Sequence, residues 1–212
     1  MPTVKFEPDA TGHVAQPAGV IVLQEWWGIV PHIEDVCRRL ARQGYIALAP
    51  DLYHGKKTLD AAEAQHLMEG LDWARATKEI QGAVKHLRAQ GCEKVGVVGF
   101  CMGGALTVIA SAHAGVDAAA SFYGFPPDKG AVDAKAAPTV IFFGEKEEYF
   151  SVPDAQAWAD GQRARGVPAE VVTYPGAGHA FFNDTRPEVY RKDAAEDAWA
   201  RTLAHFQQHL RT

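Results

Sequence analysis

Three kinds of side chain able to carry covalent hydrolysis stand at informative positions in this 212-residue chain: a thiol at Cys101, an imidazole at His179 and a carboxylate cluster at Glu145, Glu147 and Glu148. A thiolate can attack a carbonyl carbon. An imidazole can move the protons, and a carboxylate can hold the imidazole in the right orientation. Cys101 sits in Gly99-Phe100-Cys101-Met102-Gly103-Gly104. A side chain thrust out at a tight strand-to-helix turn forces the residues two before and two after it into close backbone contact, so Gly99 and Gly103 must be small. The same turn sets the cysteine at a helix N-terminus, where free N–H groups favour a thiolate or an oxyanion. The plainer reading of this stretch is a buried cysteine at an ordinary glycine-rich turn. The glycines at 96, 99, 103 and 104 do not make the G-x-G-x-x-G of a dinucleotide site, and Gly55-Lys56-Lys57 lacks the first glycine of a phosphate-binding loop.

His179 follows Pro175-Gly176-Ala177-Gly178, which reads as a flexible loop able to carry an imidazole over a site. Glu147 or Glu148 can orient that imidazole, and Glu147 is preferred. Glu25 closes the apolar run Gly19–Glu25 and precedes Trp26. The backbone N–H groups of Trp26 and Met102 are the expected oxyanion donors of a turn of this kind. A carboxylate at Glu25 can accept a hydrogen bond from a neutral S–H and oppose thiolate formation until a substrate displaces it; otherwise Glu25 is a glutamate at the pocket rim. His205 and His209 have i, i+4 spacing but read as a solvated helix face. Cys37 and Cys92 read as structural. No metal or organic cofactor is implied.

Those residues need a scaffold. Apolar runs at Val4–Phe6, Gly19–Glu25, Tyr45–Ala49, Lys94–Phe100, Val116–Phe122, Pro138–Phe143 and Ala169–Tyr174 predict strands. Helical patterns over Ile33–Gln43, Asp60–Gly70, Trp73–Ala89, the stretch from Met102, Pro153–Arg165 and Pro187–Leu210 alternate with them. That alternation predicts an α/β fold with a mostly parallel central sheet and helices on both faces. Ligands bind at the carboxyl ends of the strands in such sheets. Glu25, Cys101, the Glu145–Glu148 group and His179 all fall there. The order nucleophile, acid, histidine is that of α/β-hydrolases.

Bulk composition agrees. A hydrophobic content of 47% suits one domain, residues 1–212, with a sizeable core. The net charge of −5, without a basic cluster, argues against nucleic acid. No apolar run is long enough to span a membrane and the N-terminus has no signal-peptide core. Three cysteines without a disulfide spacing fit a reducing cytoplasm. The length leaves little room for a lid domain, so a shallow pocket is expected, with Trp26, Trp27, Phe125, Tyr149 and Phe181 as walls. The oligomeric state reads as a monomer or a small homo-oligomer.

The segments Val22-Leu23-Gln24-Glu25-Trp26-Trp27-Gly28, Ala49-Pro50-Asp51-Leu52-Tyr53, Gly96–Gly104 and Gly178-His179-Ala180-Phe181-Phe182-Asn183 together resemble the dienelactone hydrolase (carboxymethylenebutenolidase) family over nearly the whole chain. The resemblance implies Cys101 as nucleophile, His179 as base and Glu25 as gating carboxylate. It implies a cysteine hydrolase acting on a small activated ester, an enol-lactone such as a dienelactone above all. The family usually has aspartate where this chain has Glu147. It also holds the substrate carboxylate with two arginines. One region holds Asn183, a substrate-binding candidate, with Arg186 slightly further on. The other holds His54, Lys56, Lys57 and His66, with no arginine before Arg75. The competing functions are a general esterase or thioesterase of the same fold, and a non-catalytic protein that binds a ligand or senses oxidants through Cys101.

Overall fold

The computed structural model describes residues 3–8 and 17–211; His13 lies outside them. Seven strands form one sheet: β1 (Thr3–Phe6), β2 (Gly19–Leu23), β3 (Ile46–Pro50), β4 (Val95–Phe100), β5 (Ala118–Phe122), β6 (Thr139–Lys146) and β7 (Ala169–Gly178). Their spatial order is β1-β3-β2-β4-β5-β6-β7. Only β1 runs antiparallel, along β3 at one edge. The inner strands β2 to β5 are buried along their whole length, which is why their sequences are apolar runs without alternation.

Among the described residues, six α-helices accompany them, with one 3₁₀ turn at Lys129–Val132: α1 (Pro31–Arg42), α2 (Ala61–Glu69), α3 (Trp73–Ala89), α4 (Met102–His113), α5 (Val152–Ala164) and α6 (Lys192–Leu210). Two glycines show how closely the layers approach. A methyl group at Gly19 would lie 2.9 Å from Leu87 of α3, and one at Gly96 would lie 2.8 Å from Leu210 of α6. Gly19 pairs with Val95, so Gly19 and Gly96 face opposite sides of the sheet, and α3 and α6 cover opposite faces. Beneath the carboxyl ends of the central strands, Phe100, Phe122, Phe142 and Phe182 form a cluster. The ring of Phe122 is 4.9 Å from Phe100, 4.9 Å from Phe142 and 4.7 Å from Phe182.

Three local expectations are corrected. The closing helix starts at Lys192 rather than Pro187, because turns closed by Val189 N–H and Tyr190 N–H on the Arg186 carbonyl precede it. Pro175–Gly178 is the end of β7, not a free loop, and Gly176 N–H donates to Glu145 Oε2 at 2.8 Å. His205 is partly buried: its Nε2 lies 3.1 Å from the Pro138 carbonyl oxygen, and burial lowers its pKa to about 4.

Candidate active site

The turn from β4 into α4 makes Cys101 the most constrained residue of the site. Its φ of 55° and ψ of −117° place a non-glycine residue in a costly conformation, about 1–3 kcal/mol above the ordinary regions. Backbone contacts hold it there. Cys101 N–H donates to the Phe122 carbonyl at 3.0 Å, and its own carbonyl accepts from Ala105 N–H at 3.0 Å. A Cβ at Gly99 would stand 2.2 Å from the Gly103 oxygen, and one at Gly103 would stand 2.4 Å from the Gln24 oxygen. The two glycines are small because backbone occupies the space their side chains would take. Tyr123 (φ 40°) and Ala180 (φ 60°) are also at positive φ, so three of the four such non-glycine residues among those described border one site.

The Cys101 thiol is pushed well above its ordinary pKa. Burial is the main cause and the Glu25 carboxylate the next; Met102 N–H acts in the opposite sense and Glu147 adds to the rise. The resting residue is therefore a protonated thiol.

His179 follows directly on β7, and its position comes from register. Along β6 and β7, Gly144 pairs with Tyr174, but Lys146 pairs with Gly178. Two residues of β6 thus face four of β7. This bulge requires close approach, because a Cβ at Gly144 would lie 2.5 Å from the Ala177 oxygen. The next residue on each strand is Glu147 on one and His179 on the other. His179 Nδ1 lies 2.9 Å from both carboxylate oxygens of Glu147. The Glu147 side chain is fully buried and the imidazole is 17% exposed. Tyr149 N–H donates to Glu147 Oε1 at 2.9 Å. Glu145 and Glu148 are exposed. Tyr123 and Tyr149 present their rings to the imidazole at 5.0 and 4.7 Å. With Nδ1 engaged by Glu147, Nε2 is the nitrogen left to exchange a proton.

Glu25 is buried, not a rim residue. Its Oε1 accepts from the Tyr123 hydroxyl at 3.0 Å and its Oε2 from Asn183 Nδ2 at 2.9 Å. Both donors are uncharged. Asn183 is itself oriented, because its Oδ1 accepts from Thr185 N–H at 3.1 Å and Oγ1 at 2.6 Å. Burial and the adjacent Glu25 raise the Tyr123 hydroxyl far above its usual pKa, so it remains a donor.

Glu25, Trp26, Trp27, Cys101, Met102, Tyr149, His179 and Arg186 line one cavity of about 620 Å³. Its remaining walls are Ala61, Met68, Glu69, Trp73, Pro127, Phe150 and Ala180. Residues of α2 and the first turn of α3, which lie between β3 and β4 in the sequence, supply Ala61, Met68, Glu69 and Trp73 to its wall. Two expected wall residues do not line it. Phe125 is buried against Trp158, and Phe181 is fully buried against Tyr123 and Tyr174. Asn183, expected to touch substrate, is turned onto Glu25 instead. Tyr123, Met68, Trp73 and Phe150 were not singled out from the sequence. Only Tyr123, a polar aromatic closing a buried strand before Gly124, carried a signal there. A second concavity of about 390 Å³, lined by Tyr53, His54, His66 and Arg75 among others, holds none of the Cys101, His179, Glu25 group. Among the described residues, no three His, Cys, Asp or Glu side chains are placed to hold a metal ion, and no helix is long and apolar enough to cross a membrane.

A parallel sheet with covered faces, a strained elbow on its central strand and a histidine–carboxylate pair from its last two strands define an α/β-hydrolase. Similarity to other proteins agrees. The model of the dienelactone hydrolase family matches residues 1–210. Protein usf of Aquifex pyrophilus is 35% identical, with 98% of each chain covered. A Yersinia pestis protein with the provisional name carboxymethylenebutenolidase is 32% identical, over 99% of this chain and 84% of its own. A solved structure from Klebsiella pneumoniae, provisionally named a dienelactone hydrolase, superposes with a TM-score of 0.81 at 28% identity, covering 99% of this chain and 100% of that one. The chain belongs to the dienelactone hydrolase family and is a carboxylic ester hydrolase.

Proposed function

We propose that this enzyme hydrolyses small activated esters through an acyl-thioester on Cys101, with an enol-lactone such as a dienelactone as the reference substrate. The observation that carries the reading is the convergence on one cavity of a strained Cys101 and an imidazole fixed by a buried carboxylate. Cys101 Sγ attacks the carbonyl carbon as its proton passes to His179 Nε2. The N–H groups of Trp26 and Met102 stabilise the developing oxyanion. The intermediate collapses, the C–O bond breaks, and His179 returns the proton to the leaving oxygen. In the second half, His179 takes a proton from water, and the hydroxide attacks the thioester carbonyl. The carbon–sulfur bond then breaks and the sulfur recovers the proton. Glu147 stabilises the imidazolium that forms twice in each cycle.

The thiol restricts the substrate. A thiolate is itself a good leaving group, so acyl transfer favours esters whose oxygen leaves more readily still. An enolate or an activated phenolate meets that condition, and an ordinary alkoxide meets it poorly. Burial, with the nearby Glu25 charge adding to it, favours the protonated form of the unused thiol. The test is turnover of a dienelactone and of 4-nitrophenyl acetate by the wild type and by Cys101→Ala. Turnover by the wild type alone supports the reading; equal turnover by the variant overturns it.

A further inference from the structure

We propose that Tyr149 and Phe150 form the subsite for the leaving group, and that this subsite selects esters whose leaving oxygen belongs to a flat, conjugated group. This deepens the preceding reading and rests on it. What carries it is the place of two aromatic rings beside the imidazole that must hand a proton to the leaving oxygen.

The segment 147–151 joins β6 to α5, and it is short and tied down. Glu147 N–H donates to the Gly144 carbonyl at 3.2 Å, and Tyr149 N–H donates to Glu147 Oε1 at 2.9 Å. Ser151 Oγ accepts from Asp154 N–H at 3.3 Å and caps α5. The carboxylate that orients His179 therefore also fixes the backbone of Tyr149. Three aromatic rings flank the imidazole, with centroids at 5.0 Å for Tyr123, 4.7 Å for Tyr149 and 5.9 Å for Phe150. Tyr123 is fully buried and its hydroxyl is given to Glu25. Tyr149 and Phe150 line the cavity.

The tetrahedral carbon of the proposed intermediate carries four groups, and the mechanism assigns places to three. Its sulfur is that of Cys101. Its oxyanion faces the N–H groups of Trp26 and Met102. Its leaving oxygen stands within hydrogen-bond reach of His179 Nε2, about 3 Å. The atoms bonded to that oxygen then come against the rings beside the imidazole, and those the cavity presents are Tyr149 and Phe150. The acyl chain is left to the remaining walls, Met68 and Trp73 among them.

The subsite serves twice in each cycle. During deacylation the attacking water stands where the leaving oxygen stood, so the departed group must clear to solvent. Tyr149 is 72% exposed at this cavity, which opens that side to water. The thiol adds an electronic requirement. An oxyanion that leaves ahead of a thiolate is stabilised by delocalisation, and delocalisation keeps the group planar. Planar conjugated groups are the ones that pack favourably on aromatic rings. Electronics and shape thus choose the same compounds, aryl esters and extended enol esters over compact ones. In a lactone the leaving enolate stays attached, and its conjugated chain lies along Tyr149.

The test uses 4-nitrophenyl acetate and vinyl acetate, which share an acyl group and differ in the leaving group. Tyr149→Ala should lower the ratio of their kcat/KM values by about fivefold or more, expressed mainly in KM of the aryl ester. Tyr149→Phe should keep the ratio within about twofold of wild type. Trp73→Ala should also keep it, and should lower instead the ratio of 4-nitrophenyl benzoate to 4-nitrophenyl acetate turnover by about fivefold or more. A Tyr149→Ala enzyme that loses both acetates in equal proportion, or that shifts the benzoate-to-acetate ratio instead, overturns the proposal while leaving the cysteine hydrolase reading intact. A Cys101→Ala variant that still hydrolyses these esters overturns that earlier reading, and this one with it.

Discussion

Replacing Glu147 by glutamine removes one negative charge from a fully buried position 2.9 Å from His179 Nδ1 and changes the chain little otherwise. The imidazolium that the proposed mechanism forms in both half-reactions then loses its counter-charge. For charge centres about 4 Å apart at an effective dielectric near 20, the lost attraction is about 4 kcal/mol. If that stabilisation is fully expressed in the transition state, the rate falls by about a thousandfold. Glu147→Asp keeps the charge but withdraws its oxygens by about 1.5 Å, beyond hydrogen-bonding range of Nδ1, so it should lose much less, about 1 kcal/mol of attraction or about fivefold in rate. Glu148→Gln, at an exposed position, should stay within about twofold of wild type. The assay is kcat/KM on 4-nitrophenyl acetate, with iodoacetamide alkylation of Cys101 confirming that each variant is folded around its thiol. A Glu147→Gln enzyme retaining more than about a tenth of wild-type activity would refute the role assigned to this carboxylate.

Glu25→Gln should do the opposite to the thiol. Glu25 contributes to the raised Cys101 pKa, so its neutral replacement lowers that pKa and should speed alkylation near pH 8 by about tenfold or more; an unchanged alkylation rate would remove Glu25 from the account. Burial pushes Cys37 up to about 12, whereas an unfolded thiol titrates near 8.5. The unfolded state thus loses its proton first. The stability contributed by the neutral thiol is complete below about pH 8.5 and declines above it by about 1.4 kcal/mol per pH unit, until the folded thiol itself ionises. Urea midpoints at pH 8 and pH 10 measure the decline, which should be smaller in Cys37→Ala. Gly103→Ala forces a methyl group to 2.4 Å from the Gln24 oxygen and should cost more than about 3 kcal/mol, read as a fall in Tm.

The inner strands and the elbow were legible because each depends on local sequence. Apolar runs mark β2 to β5, and Gly99 and Gly103 flank Cys101 at the spacing a tight turn requires. The partnership of Glu147 with His179 was only half legible. Three glutamates crowd the end of β6, and what chooses among them is the β6–β7 bulge. A regular ladder continuing from the Gly144–Tyr174 pair would set Glu147 beside Ala177, two residues short of the histidine. The bulge depends on backbone packing between strands, which no periodicity reveals. The walls failed for a related reason. Phe125 and Phe181 are aromatic and close to the site in sequence, but turns at the strand ends direct them into the core. Trp73 and Met68 arrive from a helical excursion whose docking is a tertiary matter. Asn183 is expected at the substrate because it stands in the region where the resemblance puts an arginine, and the structure gives its amide to Glu25.

The strand order also dictates a sequence of events during synthesis. β4, which leads into Cys101, lies at the middle of the sheet between β2 and β5, and those three strands are complete by residue 122. The imidazole and its carboxylate depend on the outermost pair, β6 and β7, and α6 must then fold back so that Phe206 and Leu210 cover Gly96. A chain emerging from the ribosome therefore presents the Cys101 elbow well before Glu147 and His179. On the proposed roles, thiol, imidazole and carboxylate come together only once the C-terminal strands have joined the sheet.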